Sequence, residues 1–183
     1  MIIKKTKLEG LYIIEPELRE DDRGYFARIF AKEELKKEGI DFDIVHVNRS
    51  FTKTKGMLRG LHYQKEPKWE SKIVQCIKGA IYNVAVDLRP ESKTYLQWEA
   101  VELIDGNKKM LLTPKGFANG FQALTDNCEL LYFMGEYFFP EHAAGIRWDD
   151  SKLNIPWPIP NPILSEKDKN LPYVEPFDLA QGK

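Results

Sequence analysis

Short runs of β-branched and aromatic residues recur along almost the whole chain, and this rhythm limits the fold more than any other feature. Glycine, proline, aspartate and asparagine separate the runs, which follow one another at intervals of roughly 8–12 residues. Such spacing is typical of an all-β sandwich or barrel. The predicted strands are Leu11–Glu15, Tyr25–Phe30, Ile44–Ser50, Met57–Tyr63, Lys72–Lys78, Ala80–Asp87, Trp98–Leu103, Lys109–Thr113, Asn119–Ala123 and Glu129–Met134.

Helix signals are confined to two short segments. Ala31–Glu38 is rich in helix formers and is followed by Gly39, a residue that favours the end of a helix. A second short helix is predicted to begin at Ser165, because Ser165 and Asp168 have the spacing of an N-terminal cap. The segment from Pro140 onward contains many prolines, so we expect an extended tail wrapped over the barrel.

Turn residues and chain length complete the predicted organisation. Hairpin turns are expected at Lys78–Ala80 and at Asp105–Asn107, where glycine lies between two strand patterns. A chain of 183 residues is the usual size of one domain, which we place at residues 1–177. Residues 178–183 are expected to be disordered or vector-derived.

Composition excludes several classes of function. The chain has 27 Lys and Arg against 28 Asp and Glu, so bulk charge does not favour binding to nucleic acid. No apolar run approaches the roughly 18 residues of a membrane span, and the N-terminus does not resemble a secretory signal. Cys76 and Cys128 lie in apolar runs rather than in a disulfide framework. We therefore expect a cytoplasmic protein with no membrane partner and no nucleic-acid partner.

The histidines are poorly spaced for a metal site. The chain has three, His46, His62 and His142, and Gln64 stands two residues after His62 where a metal-binding barrel would have a second histidine. Asn119 occupies the usual position of another ligand on a later strand. We expect no bound metal.

Four side chains have the right chemistry for proton transfer, although each has an ordinary structural interpretation as well. His62 is either a general base or a strand histidine bonded to the backbone. Lys72 either stabilises negative charge on oxygen or lies at the barrel rim. Tyr132 is either a proton donor or a core tyrosine, and Asp168 is either a functional carboxylate or the cap of a helix. Local sequence alone leaves these alternatives open.

Two arginines have the same ambiguity. Arg23, in Asp21–Gly24, and Arg59 are either solvated or clamp a phosphate through their two-pronged guanidinium groups. The residues around each arginine decide whether it is solvated or binds a phosphate.

Several segments together resemble the dTDP-4-dehydrorhamnose 3,5-epimerase family. Their order and spacing hold over about residues 8 to 170, and a Leu-Arg-Gly-Leu-His segment followed by Ser-Glu-Lys-Asp is specific in combination. The matching segments are Asp22–Phe26, Asn48–Ser50, Gly56–Gln64, Val84–Arg89, Ser92–Tyr95, Pro114–Ala118, Gly145–Trp148, Ile155–Pro158 and Leu164–Asp168.

The resemblance implies a cupin-like jelly-roll homodimer that needs no cofactor. Its substrate would be a nucleoside-diphosphate 4-keto-6-deoxy sugar on the route to TDP-L-rhamnose or a related deoxysugar. By position, His62 matches the base beside the ketone and Asp168 the carboxylate that orients it. Lys72 matches the group that stabilises the enolate at O4, and Tyr132 matches the acid on the opposite face.

Substrate contacts and departures from the family pattern also follow from the resemblance. Arg23 and Arg59 match diphosphate contacts, whereas Phe26 and Phe138 match aromatic ones. The predicted substrate contacts are Arg23, Phe26, Arg28, His46, Asn48, Arg59, Asn119 and Phe138. The departures are Asn83 for aspartate, Asn119 for histidine, Phe138 for tyrosine, Arg28 for glutamate and His46 for glutamine. Arg28 and His46 fall where the family contacts thymine, so they leave the nucleoside base open.

Three functions follow as hypotheses. The leading one is an epimerase that inverts both C3 and C5 beside a C4 ketone. The alternatives are an epimerase that inverts one carbon or acts on a CDP- or GDP-linked sugar, and a sugar-nucleotide-binding barrel without catalysis. Solvent deuterium incorporation separates them, because it would label two positions, one position or none.

Overall fold

Two antiparallel β-sheets form the body of the protein in this computed structural model, which describes residues 1–174. The strands are β1 (Ile2–Lys5), β2 (Tyr12–Glu15), β3 (Leu18–Asp21), β4 (Gly24–Ala27), β5 (His46–Thr52), β6 (Leu58–Gln64), β7 (Lys72–Lys78), β8 (Ala80–Asp87), β9 (Trp98–Ile104), β10 (Met110–Thr113), β11 (Phe117–Ala123), β12 (Cys128–Met134) and β13 (Ala143–Gly145). The helices are α1 (Lys32–Lys37), α2 (Glu166–Lys169) and a 3₁₀ turn at Pro140–His142. The predicted all-β class is confirmed.

The two sheets divide the strands unequally. One has six strands in the order β1-β2-β10-β7-β12-β5, and the other has five in the order β13-β6-β11-β8-β9. Among the described residues, strands β3 and β4 pair only with each other and form a separate hairpin. The strand β5 therefore lies at one edge of the larger sheet, and β6 lies next to the edge of the smaller one.

The main core lies between the sheets. Alternate residues of the central strands meet there, including Val74 of β7, Ala85 of β8, Phe121 of β11 and Leu130 of β12. Helix α1 and its neighbours cover part of the outer face of the larger sheet. The tail covers the outer face of the smaller sheet. Strand β11 is consequently buried along its whole length.

The two predicted hairpin turns have a different role. Strand β7 belongs to the larger sheet, and β8, which follows the first turn, belongs to the smaller. Strand β9 belongs to the smaller sheet, and β10, which follows the second turn, belongs to the larger. Both turns therefore carry the chain between sheets, and the hairpin prediction is wrong. Turn chemistry is local, whereas strand pairing depends on the whole topology. At Gly79, with φ +81°, an added Cβ would lie 2.5 Å from Thr125 Oγ1, so the turn requires glycine.

Several element boundaries differ from the prediction. Strands β1, β3 and β13 were not predicted, and Tyr25–Phe30 is replaced by the shorter β4. All four are short and carry little alternation between buried and exposed residues, which is the signal that sequence provides.

Both short helices and the covering tail are present. The Ser165 hydroxyl caps α2 by accepting a hydrogen bond from the Asp168 N–H at 3.1 Å. The tail is mostly irregular after β13, as its prolines predict. Residues 178–183 lie outside the described residues, so the expectation for them stays a prediction, as does the domain boundary at 177. In residues 1–174, no helix has the length and apolar character needed to cross a membrane.

Candidate active site

A bulge between β6 and β11 determines where His62 points. Asn119 of β11 pairs with His62, but Phe121, two residues later, pairs with Arg59, three residues earlier on β6. Strand β6 therefore contains one extra residue, and Arg59 and His62 both face the space between the sheets. Strict alternation would have placed them on opposite faces.

Two glycines allow this local geometry. An added Cβ on Gly60 would lie 2.6 Å from Gly120 Cα, and one on Gly120 would lie 2.8 Å from the Arg59 carbonyl oxygen. The two strands approach so closely that neither position tolerates a side chain without movement of the backbone. The bulge thus fixes His62 opposite Asn119.

His62 and Asp168 form the pair that the family resemblance implies. His62 Nε2 lies 2.6 Å from Asp168 Oδ1, although the two residues are 106 positions apart. The Asp168 side chain is 6% exposed, whereas the imidazole is 41% exposed. The carboxylate therefore lies behind the ring, and the ring remains accessible from outside. This arrangement orients a histidine for proton transfer.

The environment keeps Asp168 ionised. Burial acts to raise the pKa of the carboxyl, but the His62 hydrogen bond and charge lower it, with further contributions from Ser165 and the Gly60 backbone. The net result is a pKa below the usual range for aspartate. A charged carboxylate can hold one imidazole tautomer and stabilise the imidazolium that forms when the ring accepts a proton.

A cleft of about 430 Å³ opens beside this pair. Its walls include Arg59, His62 and Asp168 together with apolar groups from Met57, Ile163 and neighbouring residues. Arg59 is exposed and donates from Nη2 to the Phe51 carbonyl at 2.9 Å. A guanidinium at the cleft could bind an anionic group of a ligand.

Tyr132 lies on the inner face of β12 and packs against the main core. Its hydroxyl is 3.1 Å from Ser50 Oγ on the edge strand β5. Burial raises the pKa of the phenol above its usual value, although Ser50 and the Arg59 charge act in the opposite direction. The phenol therefore remains protonated at neutral pH, which a proton donor requires.

Lys72 is buried rather than exposed at the rim. It shares the inner face of β7 with Val74, and its Nζ donates a hydrogen bond to Glu70 Oε1. Both side chains are 9% exposed. The ammonium is thus held in a sparsely hydrated position, where a positive charge interacts more strongly with a developing oxyanion than it would in water.

Asn119 and Asn83 form a second buried polar pair beside His62. Asn119 Nδ2 donates to Asn83 Oδ1 at 3.1 Å and to the Val84 carbonyl at 2.9 Å. The two departures from the family pattern are therefore in direct contact.

Three other predicted contacts lie near the edge strand. Asn48 is exposed on β5 opposite Tyr132. His46 begins the same strand and makes an edge-to-face contact with Tyr137, at 5.3 Å between ring centroids. Phe138 follows β12 and is exposed. Of these, Asn48 is the direct strand partner of Tyr132.

The structure does not bring Arg23, Phe26 and Arg28 to the His62 pair. All three belong to the β3–β4 hairpin or directly follow it. Arg23 pairs with Asp21, Arg28 pairs with Glu34, and the Phe26 ring is 63% exposed. Within one chain, these side chains are separate from the cleft.

Sequence reasoning missed two supporting residues, Glu70 and Ser50. Ser50 lies in the matching segment Asn48–Ser50, but its role is seen only in its contact with Tyr132. The role of Glu70 is seen in its contact with Lys72. Glu70 had one weak signal, since a carboxylate two residues before a strand lysine lies on the same face when the chain is extended.

The described residues contain no candidate metal centre. Among residues 1–174, no group of three or more His, Cys, Asp or Glu side chains is arranged to hold an ion. We assign no metal ligand, and the expected absence of a metal stays a prediction.

Comparison with known proteins identifies the family. The family model described as dTDP-4-dehydrorhamnose 3,5-epimerase matches residues 5–175. The dTDP-4-dehydrorhamnose 3,5-epimerase of Methanothermobacter thermautotrophicus is 44% identical over 169 residues, covering 91% of this chain and 90% of the relative.

Solved structures agree with this match. A Bacillus anthracis dTDP-4-dehydrorhamnose 3,5-epimerase with TDP and PPi bound is 41% identical, with a TM-score of 0.92 over 94% of this chain and 99% of the other. ChmJ, a 3′-monoepimerase from Streptomyces bikiniensis in complex with dTDP-quinovose, is 31% identical, with a TM-score of 0.86 over 93% and 86% of the two chains. These neighbours confirm the cupin-like jelly roll. The chain belongs to the dTDP-4-dehydrorhamnose 3,5-epimerase family.

Proposed function

We propose that this protein converts dTDP-4-dehydro-6-deoxy-D-glucose to dTDP-4-dehydro-L-rhamnose by inverting C3 and C5. The observation that carries the proposal is the His62–Asp168 pair, 2.6 Å apart and facing an open cleft, in a chain of this family. The C4 ketone acidifies the C–H bonds on both neighbouring carbons, so one base can serve both centres. The reaction needs only proton transfers and stabilisation of an enolate.

His62 is the base in this mechanism. Its imidazole takes the proton from the carbon beside the ketone, and the electron pair of the broken C–H bond moves into the enolate. The charged Asp168 stabilises the imidazolium that results. The low pKa of this carboxyl supports the role, because Asp168 must remain ionised at the working pH.

Tyr132 and Lys72 complete the mechanism on the other side of the sugar. Tyr132, protonated at neutral pH, returns a proton to the opposite face of the carbon and so inverts it. Lys72 stabilises the enolate oxygen at O4, and Glu70 holds the ammonium in position. Arg59 binds the diphosphate, whose attachment supplies binding energy remote from the reacting carbons.

An epimerase that inverts one carbon is the second candidate. The similarity to ChmJ, a 3′-monoepimerase, favours it, since a single fold accommodates both outcomes. The same base can serve either reaction, so the identity of His62 does not separate them.

We infer that the functional unit is a homodimer. Phe26 and Arg23 are exposed on a hairpin that does not reach the cleft of its own chain. Exposed apolar side chains also line the edge strand β5, where Val47 and Phe51 are about half exposed. If the hairpin of each subunit covered the cleft of its partner, the predicted contacts of Arg23, Phe26 and Arg28 would reach the substrate.

We also propose that the enzyme works in the cytoplasm, on sugars destined for a cell-surface polysaccharide. Cys76 and Cys128 are both free thiols within the core. Unpaired buried cysteines are usual in reducing compartments.

The experiment is to follow the reaction by NMR and to compare nucleotides as ligands. The proposal predicts a product inverted at both C3 and C5, whereas inversion at C3 alone would establish the second candidate. In thermal-shift measurements, dTDP should raise the melting temperature more than CDP, GDP or UDP, because ligands that bind the native state stabilise it. A larger shift with another nucleotide would overturn the assignment of thymidine.

A further inference from the structure

The orientation of the Asn119 amide is fixed by strand β8. Asn119 Nδ2 is 2.9 Å from the Val84 carbonyl oxygen and 3.1 Å from Asn83 Oδ1. A backbone carbonyl can only accept a hydrogen bond, so the nitrogen of the amide, and not its oxygen, faces β8. Both Nδ2 hydrogens are used in these contacts. Asn119 Oδ1 consequently points away from β8.

The opposite side of Asn119 is the strand that carries His62. Strand β11 lies between β8 and β6, and Asn119 pairs directly with His62 on β6. Within residues 1–174, Asn119 Oδ1 accepts no hydrogen bond, yet it is not among the enclosed side-chain atoms without a partner. An unpartnered acceptor that is not fully enclosed, in a residue that is 6% exposed, therefore lies on the strand next to the candidate base.

In the described residues, the Asn83 side chain makes one hydrogen bond, which holds the Asn119 amide. It is fully buried, and its Nδ2 is enclosed without any partner in the described residues. Burial of an unsatisfied amide donor destabilises a fold, so an apolar residue at this position would favour stability. Its Oδ1 accepts the hydrogen bond from Asn119. This contact turns Asn119 Oδ1 away from β8, toward the side of strand β6 that carries His62.

We propose that Asn119 Oδ1 accepts a hydrogen bond from the C2 hydroxyl of the substrate sugar, and that Asn83 is its positioning residue. The inference rests on the proposed function. A carboxamide oxygen repels the ketone and enolate oxygens, so its partner must be a donor such as a ring hydroxyl. The C3 hydroxyl changes sides when C3 inverts, whereas the C2 hydroxyl keeps its configuration. A fixed acceptor can hold the C2 hydroxyl throughout the reaction.

The proposal makes Asn119 a determinant of substrate class. The enzyme would select 4-keto sugars that carry a hydrogen-bond donor at C2 and would reject 2-deoxy sugars. A sugar without this hydroxyl would cover Asn119 Oδ1 and offer it no hydrogen-bond donor, which disfavours binding. Both asparagines are neutral, so this selection should not depend on pH.

The test compares kcat/KM for deuterium exchange at C5 on the 2-hydroxylated dTDP-sugar and its 2-deoxy analogue. The wild-type protein should prefer the hydroxylated sugar by at least about tenfold. Asn119→Ala should lose this preference through slower reaction of the hydroxylated sugar alone. Asn83→Ala should lose part of it, and the double variant should match Asn119→Ala. Asn107→Ala, which removes a hydrogen-bonded asparagine from the turn after β9, should leave the preference unchanged.

Two results would overturn the proposal. One is a wild-type protein that treats the two sugars alike, a measurement that needs no variant to fold. The other is a folded Asn119→Ala variant that slows both sugars by the same factor, which would show a structural role. A wild-type protein that exchanges neither sugar would instead overturn the proposed function, and this inference with it.

Discussion

The charge of Asp168 faces His62 from a buried position. Asp168→Asn keeps the shape of the side chain but removes the charge that faces His62. We expect the rate of proton exchange to fall about 10²–10⁴-fold, because the imidazolium loses its counter-charge. Deuterium exchange followed by NMR measures this loss. Exchange at a near-wild-type rate in the folded variant would contradict the role of Asp168.

The pH dependence of stability provides a separate check on Asp168. The pKa of this carboxyl is lower in the folded chain than the roughly 3.9 of an unfolded aspartate. Its contribution is therefore fully present above that value and is lost as the pH falls through the folded-state pKa. The stability difference between the wild-type protein and Asp168→Asn should shrink in that acidic range. A difference that stayed constant would show that Asp168 is not preferentially ionised in the fold.

Tyr132→Phe separates removal of the proton from its return. The variant keeps the ring and its packing and loses one hydrogen bond with Ser50, which is worth about 1 kcal/mol. Exchange through His62 should continue, but protons should return mostly to the original face. The ratio of exchange to net inversion should therefore rise. If Tyr132 is only a core residue, the melting temperature falls and this ratio does not change.

Local sequence shows which of these residues can take part in proton transfer, but it does not show which residues they contact. His62 and Asp168 lie 106 positions apart, and no periodicity relates them, so resemblance to a family was needed to pair them. The roles of Glu70 and Ser50 were not predicted, because they depend on contacts with Lys72 and Tyr132. Such contacts depend on which strands become neighbours.

At the scale of elements, the bulge in β6 is the feature that serves the site. Gly120→Ala would place a Cβ 2.8 Å from the Arg59 carbonyl oxygen and force β6 and β11 apart. We expect a loss of about 1–3 kcal/mol in stability and slower exchange, since Arg59 and His62 would both move. Urea unfolding and the exchange assay measure the two effects.

A matched substitution controls for the general effect of replacing glycine by alanine. An added Cβ at Gly106 meets no atom within 4 Å, so Gly106→Ala should leave both stability and exchange almost unchanged. Equal behaviour of the two variants would contradict the close approach of β6 and β11.

The strands of the core were predictable, but their pairing was not. Apolar runs such as those of β7, β8 and β12 indicate buried strands by composition alone. The turns at Gly79 and Gly106 were read correctly as turns and wrongly as hairpins, because a tight turn can also change sheets. The sequence signal of the bulge is limited to two glycines, Gly60 and Gly120. Glycine inside a strand often marks a bulge or a close approach of another backbone.

At the scale of the molecule, the homodimer proposal predicts complementation between damaged subunits. One variant lacks the base, His62→Ala, and the other lacks the hairpin contacts, Arg23→Ala with Phe26→Ala. In a mixed dimer, one cleft would combine an intact His62 with an intact hairpin from the partner. An equal mixture that exchanges subunits should regain about a quarter of wild-type activity, because half the dimers are mixed and each has one intact site. No recovery in mixed dimers would show that each hairpin serves its own chain.

Incorporation of solvent deuterium tests the central claim most directly, that His62 is the base for both centres. In D₂O, the wild-type protein should label the dTDP-sugar at C3 and at C5. His62→Ala should slow labelling at both positions by at least about 10²–10⁴-fold. His142→Ala, which alters a histidine in the 3₁₀ turn, should label both at the wild-type rate. Near-wild-type labelling by a folded His62→Ala variant would contradict the account.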